Sequence, residues 1–557
     1  MNEKDILEAE SLRETGKTNY VIGIDCGTLS ARAVVVRVLD GSVAAGFDME
    51  YPHGIITERL PNGIGLSEGT ILSMAEDYLT VLPLIVRGAL EEAAVTPEQV
   101  IGIGIDATSC TIVPCMKDGT PLALAEKYQE RPHAYIKLWK HHNVKKQAKK
   151  VEELAEARNE GFLSCNGNVV SCELILPKIM QIYEEDPALF EETSYYVDLC
   201  DWLTWRLTGV LKRSANSAGF KGLWSLEKGY PDKEFLDELY DGFGSAYYDK
   251  AASGPVVLTG ECCGYLGSEA AEWLGLSEGV AVASGMMDGH ASVIALGMQK
   301  SGEMALIVGT SNAIPFLADR AVKVKGIFGM VQDGIIPGVY GYSAGQIATG
   351  DMLAWFVKNQ VPASYKEEAD ERGISVHKLL CEKAEESRPE KNTLTILDWW
   401  HGNRSILCNE QLTGIIKGIT LETRPEEIYC AMLQGIACGT RVIIEQSYCK
   451  IVDITRIFAC GGIPCKNPFF MQQYANILNR TIWVANVSNS PALGSAICAA
   501  AAVSKERGGY GNLARAMEKM HIHDMIEYTP QLEYVADYEK IYERYYRLYD
   551  VMGKLEE

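Results

Sequence analysis

Four short segments place acidic, hydroxyl-bearing or glycine residues at the ends of apolar runs. Asp25-Cys26-Gly27-Thr28 closes the β-branched run that begins at Tyr20. A carboxylate at a strand end, followed by the N–H and hydroxyl groups of Gly and Thr, suits a hydrated Mg²⁺ and a terminal phosphate. The same four residues would also make an ordinary solvated turn. Gly309-Thr310-Ser311 follows the run starting at Glu303 and offers two hydroxyls suited to β- and γ-phosphates. Gly461-Gly462 precedes Lys466-Asn467, and its missing side chains would let a flat base or ribose approach the backbone. Asp288 sits in the glycine-flanked turn Ser284-Gly-Met-Met-Asp-Gly-His290 after the run Val280–Ala283. A carboxylate there could take the proton of a hydroxyl that attacks phosphorus. His290 beside it reads as a structural histidine.

The elements that must hold these turns recur. Tyr20–Asp25 and Ala33–Val38 read as two strands around a Gly-containing turn, and the segment from Glu303 through Asn312 repeats that arrangement. Val100–Asp106 and Ile457–Gly462 are short apolar strands ending in polar or glycine-rich turns, each after an amphipathic helix pattern. The second of those helices is predicted over Glu426–Ser447. Two homologous halves are implied. Helical patterns at Val151–Ala157, Pro177–Glu184 and Cys200–Leu207 lie in a mixed region, 131–261, that reads as an insertion in the first half. Pro362–Lys391 is a charged helical insertion in the second, and Tyr534–Tyr549 a closing helix.

Composition narrows the function classes. At 557 residues the chain exceeds what one core usually serves. A formal charge of −22 repels a nucleic-acid backbone, and the only basic tract is the short Lys137–Lys150 stretch, so no nucleic-acid partner is expected. The first twenty residues are charged and lack the apolar core of a secretion signal, and Ala492–Val503 is too short to span a bilayer. A cytoplasmic protein without a membrane partner is the expectation. The sixteen cysteines are scattered without a Cys-x-x-Cys pair and read as reduced, packed thiols. Neither a Walker loop nor a Gly-x-Gly-x-x-Gly after the first strand occurs.

Taken together, the chain resembles the FGGY carbohydrate kinases of the actin and sugar-kinase ATPase superfamily. The resemblance rests on Gly23-Ile-Asp25-x-Gly27-Thr28-x-Ser30-x-Arg32, Gly104-Ile-Asp106-Ala-Thr108, Leu138-Trp139-Lys140-x-His142, Ala218-Gly-x-Lys221, Asp288 and Gly309-Thr310-Ser311. It continues through Ala344-Gly345-Gln346-x-x-x-Gly350-Asp351, Leu397-Asp398-Trp399-x-x-Gly402-x-Arg404 and Gly461-Gly462-x-x-x-Lys466-Asn467. It implies an α/β protein of two ribonuclease-H-like domains with an interdomain cleft. The first, 19–297, would bind sugar; the second, 298–557, would bind nucleotide.

The resemblance further implies ATP and Mg²⁺ as cofactors and a ketopentose phosphorylated at its terminal O5 hydroxyl, with Asp288 as base. Asp25 and Asp288 would face the metal. Gly27, Thr28, Ser30, Arg32, Gly309, Thr310, Ser311, Gly345, Gly461, Gly462 and Asn467 would contact the nucleotide. Ser109, Trp139, Lys221, Asp288 and Ser343 would contact sugar. At one place the sequence departs from the most similar members, which carry glutamate in a Gly-Tyr/Leu-Glu-Ala-Gly-Gln stretch where this chain has Gly341-Tyr-Ser343-Ala-Gly-Gln346. A hydroxyl reaches less far and accepts no charge-assisted bond, which leaves another ketopentose or a polyol open as substrate. A sugar-sensing ATPase of the same fold is the competing class, and the intact Asp288 argues against it. A homodimer is carried as the expected assembly.

Overall fold

Two large mixed sheets with a similar strand pairing organise the chain. The computed structural model describes residues 18–487 and 489–555; most of the charged N-terminal segment therefore lies outside the described residues. In the first sheet, β1 (Tyr20–Cys26), β2 (Ser30–Arg37) and β3 (Val43–Glu50) form an antiparallel meander. β4 (Val100–Ala107) joins β1 in parallel, β6 (Ala281–Ala283) joins β4 in parallel, and β5 (Cys262–Tyr265) closes the edge against β6. The short β7 (Met286–Met287) pairs the far end of β4. In the second sheet the short strand Met330–Gln332 lies at one edge, followed by β10 (Tyr340–Gln346), β9 (Asn312–Ala318), β8 (Glu303–Val308), β11 (Arg456–Cys460), β12 (Ile482–Ala485) and β13 (Met525–Tyr528). Again the first pair is antiparallel, the two central neighbours parallel and the last strand antiparallel.

The compact units built on these sheets are not separated by one cut in the chain. One comprises the described residues through Gln299 together with Val331–Gly341 and Asn489–Ile522. The other comprises Lys300–Met330, the described residues from Tyr342 to 487, and those from His523 onward.

In unit 1, β1 is an almost continuous apolar run because both sheet faces are covered. On one face Ile22 and Ile24 join Tyr78, Val81, Leu82 and Ile85 of α1 (Ala75–Ala93) in a single core. On the other lies the helix Ser490–Ala502. A Cβ on Gly23 would collide with the carbonyl oxygen of Ala492, and one on Gly104 with that of Ser495. These two glycines are what let an alanine-rich helix lie directly on the strands. A second core in this unit gathers α2 (Ile175–Glu185), α3 (Pro187–Glu192) and the segments that follow, and also Ile56, Leu60, Leu72 and Ile112. The lobe thus draws on residues well before 131, because Leu72–Ser73 and Ile112–Cys115 pair with Ile136–Lys137.

In unit 2 the helix α7 (Pro425–Gln446) follows α6 (Val376–Glu386). By length and composition the stretch Pro425–Lys450 passes for a membrane span, yet 83% of its apolar window is buried inside the protein. It packs against α6, α9 (Pro468–Leu478) and the strand Thr395–Leu397, as a core helix does. None of the sixteen cysteines forms a disulfide and most are buried, in keeping with their reading as small apolar side chains.

Candidate active site

Parallel pairing of β1 with β4 sets Asp25 directly beside Asp106. Both are buried, Asp106 completely. Burial pushes the Asp25 carboxyl up, opposed by Arg32, whose Nε lies 3.5 Å away. Asp106 is pushed well above the carboxylate range, first by burial and then by the charge of Asp25. Ser495 donates to Asp106 Oδ2 at 2.6 Å, while Oδ1 is buried with no hydrogen-bond partner. At the first turn, Gly27 N–H donates to Ser30 O at 3.0 Å, and Thr28 Oγ1 accepts from Trp139 Nε1 at 3.1 Å.

Asp288 is the first residue of α5 (Asp288–Ala295), delivered there by the pairing of Met286 with Asp106 and Met287 with Ala107. Its carboxyl is raised to about 7 by burial and by Asp25, partly offset by the Gly289 N–H, which donates to it at 2.7 Å, and by Lys221. Lys221 ends α4 (Ala215–Lys221), and its ammonium pairs with buried Glu173 at 3.2 Å. On the same helix, buried Asn216 accepts from Met287 N–H at 3.0 Å and donates to His290 Nδ1 at 2.9 Å and to Gly334 O at 2.6 Å. The Asn216 amide therefore fixes the backbone just before Asp288. His290 is held neutral, its pKa lowered to about 3 by burial and then by Lys221, which agrees with a structural histidine. Ser109 and Trp139 sit partly exposed on loops after β4 and after Ile136–Lys137, with the Lys140 ammonium 4.9 Å from the Trp139 ring.

The carboxylates suit a hydrated divalent cation: a buried acid pair with one orphaned oxygen lacks a counter-charge that Arg32 only partly supplies. Among the described residues no group of three or more His, Cys, Asp or Glu side chains is arranged to hold a metal alone. The remaining ligands of such a cation would be phosphate and water oxygens, the usual partners of Mg²⁺.

Unit 2 is built differently. Gly309 and Thr310 are exposed at the β8–β9 turn, whose carbonyl oxygens accept from Thr349 and Gly350 N–H at 2.9–3.1 Å. Gly461 has φ +110°, and a Cβ there would press on the carbonyl oxygen of Val308. Gly462 opens a short helix, α8 (Gly462–Lys466), and has open space where a Cβ would be. Gly345 is buried under Asn312 O and donates to Ser405 Oγ at 3.2 Å, so its lack of side chain serves strand packing. Asn467 caps α9 through Phe470 N–H at 2.9 Å and touches Cys381. Ser343 lies on β10, its backbone bonded to Phe328 and Gly329. Beneath them Gln346 joins Asp398, Thr440 and Asn312 at 2.7–2.8 Å, and Tyr545 of α10 (Val535–Leu555) donates to Asp398 at 2.7 Å.

Sequence reasoning missed Glu173, Asn216, Lys178 and the partner of Asp106. Glu173 and Lys178 have a faint signal, charged residues inside the largely apolar Cys172–Ile182 stretch; Asn216 and Ser495 have none.

The chain matches the FGGY family of carbohydrate kinases, N-terminal domain over residues 20–295 and C-terminal domain over 304–503. It belongs to that family and is an ATP-dependent carbohydrate kinase, with ATP and Mg²⁺ as cofactors. Among its relatives are the ribulokinases of Halalkalibacterium halodurans, 41% identical over 96% of this chain and 95% of that one, and of Mycolicibacterium smegmatis, 39% identical over 97% and 95%. The fold is also that of xylulose kinase from Rhodospirillum rubrum, with TM-score 0.77 and 21% identity over 96% of this chain and 99% of that one.

Proposed function

We propose that the chain is a ribulokinase, transferring the γ-phosphate of ATP to the O5 hydroxyl of L-ribulose in cytoplasmic arabinose and pentose catabolism. Full-length similarity to curated ribulokinases supports the substrate. The single observation that carries the chemistry is Asp288, a carboxyl raised to about 7 at a helix start, beside an ordered lysine. A group with that pKa is deprotonated often enough at neutral pH to accept a proton and basic enough to be useful in doing so.

Each residue has a role in this reading. Asp288 takes the proton of O5 as that oxygen attacks the γ-phosphorus. Lys221, aligned by Glu173, donates to sugar hydroxyls or the ketone oxygen, and Ser109, Trp139 and Ser343 complete the sugar contacts. Asp25 would hold the hydrated cation. Thr28, Ser30 and Arg32, with Gly27, serve the phosphates, and Gly309, Thr310 and Ser311 are assigned the same role. Gly461, Gly462 and Asn467 serve the nucleotide, so residues 19–297 act mainly on sugar and 298–557 on nucleotide. Mg²⁺ bound with ATP supplies neutralisation of the phosphate charge that builds during transfer. A homodimer is the assembly we assign, to be checked by light scattering; a monomeric mass would remove it.

Ser343 favours one second reading, a different acceptor of the same chemistry: D-ribulose, xylulose or ribitol. A coupled ADP assay over L-ribulose, D-ribulose, L- and D-xylulose and ribitol separates the two. The highest kcat/KM is expected for L-ribulose. A higher value for another of the five transfers the assignment to that sugar, and ADP release indifferent to all five removes the ketopentose kinase reading.

A further inference from the structure

Helix α2 carries a lysine where its neighbours Leu176, Ile179, Met180 and Ile182 are core residues. Lys178 is fully buried. Its ammonium donates to the carbonyl oxygens of Cys110 at 2.7 Å and Leu138 at 2.9 Å, and lies 3.7 Å from Cys110 Sγ. Burial pulls its pKa below the ordinary lysine value, the expected response of a cation withdrawn from water. Filling the core would need only an apolar side chain, and a buried charge held by carbonyls is the costlier solution. What the charge gains is geometry, because one ammonium can bond several acceptors at once.

Both acceptors sit next to proposed sugar contacts. Cys110 follows Ser109 and has φ +44°, a left-handed turn uncommon outside glycine that aims its carbonyl inward. Leu138 precedes Trp139, and Trp139 donates to Thr28 Oγ1 at the first phosphate turn.

We infer that Lys178 is a positioning residue for phosphoryl transfer: by gripping the Cys110 and Leu138 carbonyls from one point, it sets Ser109 and Trp139 relative to each other and, through Trp139, orients the Thr28 hydroxyl. The inference rests on the reading that Ser109 and Trp139 contact sugar. Small displacements of such contacts are costly in rate, so a fixed grip on both loops has catalytic value.

The test is a double-mutant cycle with Lys178→Met and Trp139→Phe in the full-length enzyme, reading kcat and the KM of each substrate. Lys178→Met is expected to raise the sugar KM about tenfold or more, as for the loss of a charged hydrogen bond, to lower kcat because Thr28 loses its orientation, and to raise the ATP KM by clearly less than the sugar KM. With Trp139→Phe the combined loss should fall well short of the product of the single losses, since the two act on one contact. An unchanged sugar KM for Lys178→Met, beside a raised one for Trp139→Phe, overturns the inference and spares the sugar site. If neither variant moves the sugar KM, both fall. An equal rise in both KM values with a lowered Tm shows a merely structural lysine and also overturns it. Lys178→Gln, which keeps two N–H donors, should lie between wild type and Met; it carries the same test if the Met variant does not fold.

Discussion

At the end of β1 the chain buries Asp25 against Asp106; at the matching place in the second sheet, two residues before Gly309 as Asp25 is two before Gly27, β8 sets Ile307 against Cys460. Backbone pairing and the turn that follows are alike, and the side chains are opposite in kind. Unit 1 loads its strand ends with charge: two aspartates, Asp288 beyond β7, and the Lys221–Glu173 pair. Unit 2 also buries acids, Glu303, Asp398 and Glu426, but Ile307 and Cys460 stand where Asp25 and Asp106 do; Asp398 accepts from Gln346 and Tyr545, and the turns present glycines and hydroxyls. A repeated sheet supplies two equivalent turns, and what each turn does is decided by which side chains sit behind it. Charge behind the turn tunes a proton acceptor; neutral amides and bare backbone accommodate an anion without competing for its metal.

The widest separation between the units should come from Asp288→Asn. Loss of the base is expected to lower kcat about 10²- to 10⁴-fold while sugar still protects against thermal unfolding. Sugar-dependent ADP release within a few-fold of wild type would end the contrast at its strongest point.

Next in size is pH. Because the Asp288 carboxyl is raised to about 7 and only the ionised form accepts a proton, kcat/KM for sugar should fall about tenfold per unit below that pH and level off above it. A flat profile between pH 5.5 and 8 would leave the charged character of unit 1 without kinetic consequence.

Unit 2 is probed by Gly461→Val. A φ of +110° is strained for a β-branched residue, and the added Cβ meets Val308 O, so ATP affinity should drop about tenfold with sugar binding unchanged. Equal loss of both ligands by calorimetry would show that the two sites are not separately built.

The smallest effect concerns stability. A folded-state pKa raised above the unfolded one gives stability that is complete below about pH 4 and lost as pH rises through about 7. Asp288→Asn should therefore melt above wild type at pH 8 without ligands, with the gap closing toward pH 4. A lower melting temperature for the variant at pH 8 would contradict the burial cost assigned to this carboxylate.

Much of this was legible in order along the chain. The turns at Gly27 and Gly309 follow strands as the sequence predicts, since β-branched runs ending in Gly and Thr have few other readings, whereas Asp288 and Gly462, expected in turns, open the helices α5 and α8. The helix predicted over Glu426–Ser447 spans Pro425–Gln446, and the closing helix runs beyond the predicted Tyr549, to Leu555. Hidden were the partners far apart in sequence, such as Ser495 with Asp106, Asn216 with Met287 and Lys178 with Cys110 and Leu138. Local patterns carry no information on which distant segment returns to a strand.

By itself the sequence determined the strand-and-turn units, their duplication and the residue types at the turns, because those follow from side-chain shape and nearest neighbours. Tertiary structure alone decided that 331–341 and 489–522 pack with the first unit, that Asp106 lies beside Asp25, and that the Asp288 carboxyl sits near 7. Burial and the field of a neighbouring charge exist only once strands from distant parts of the chain lie side by side.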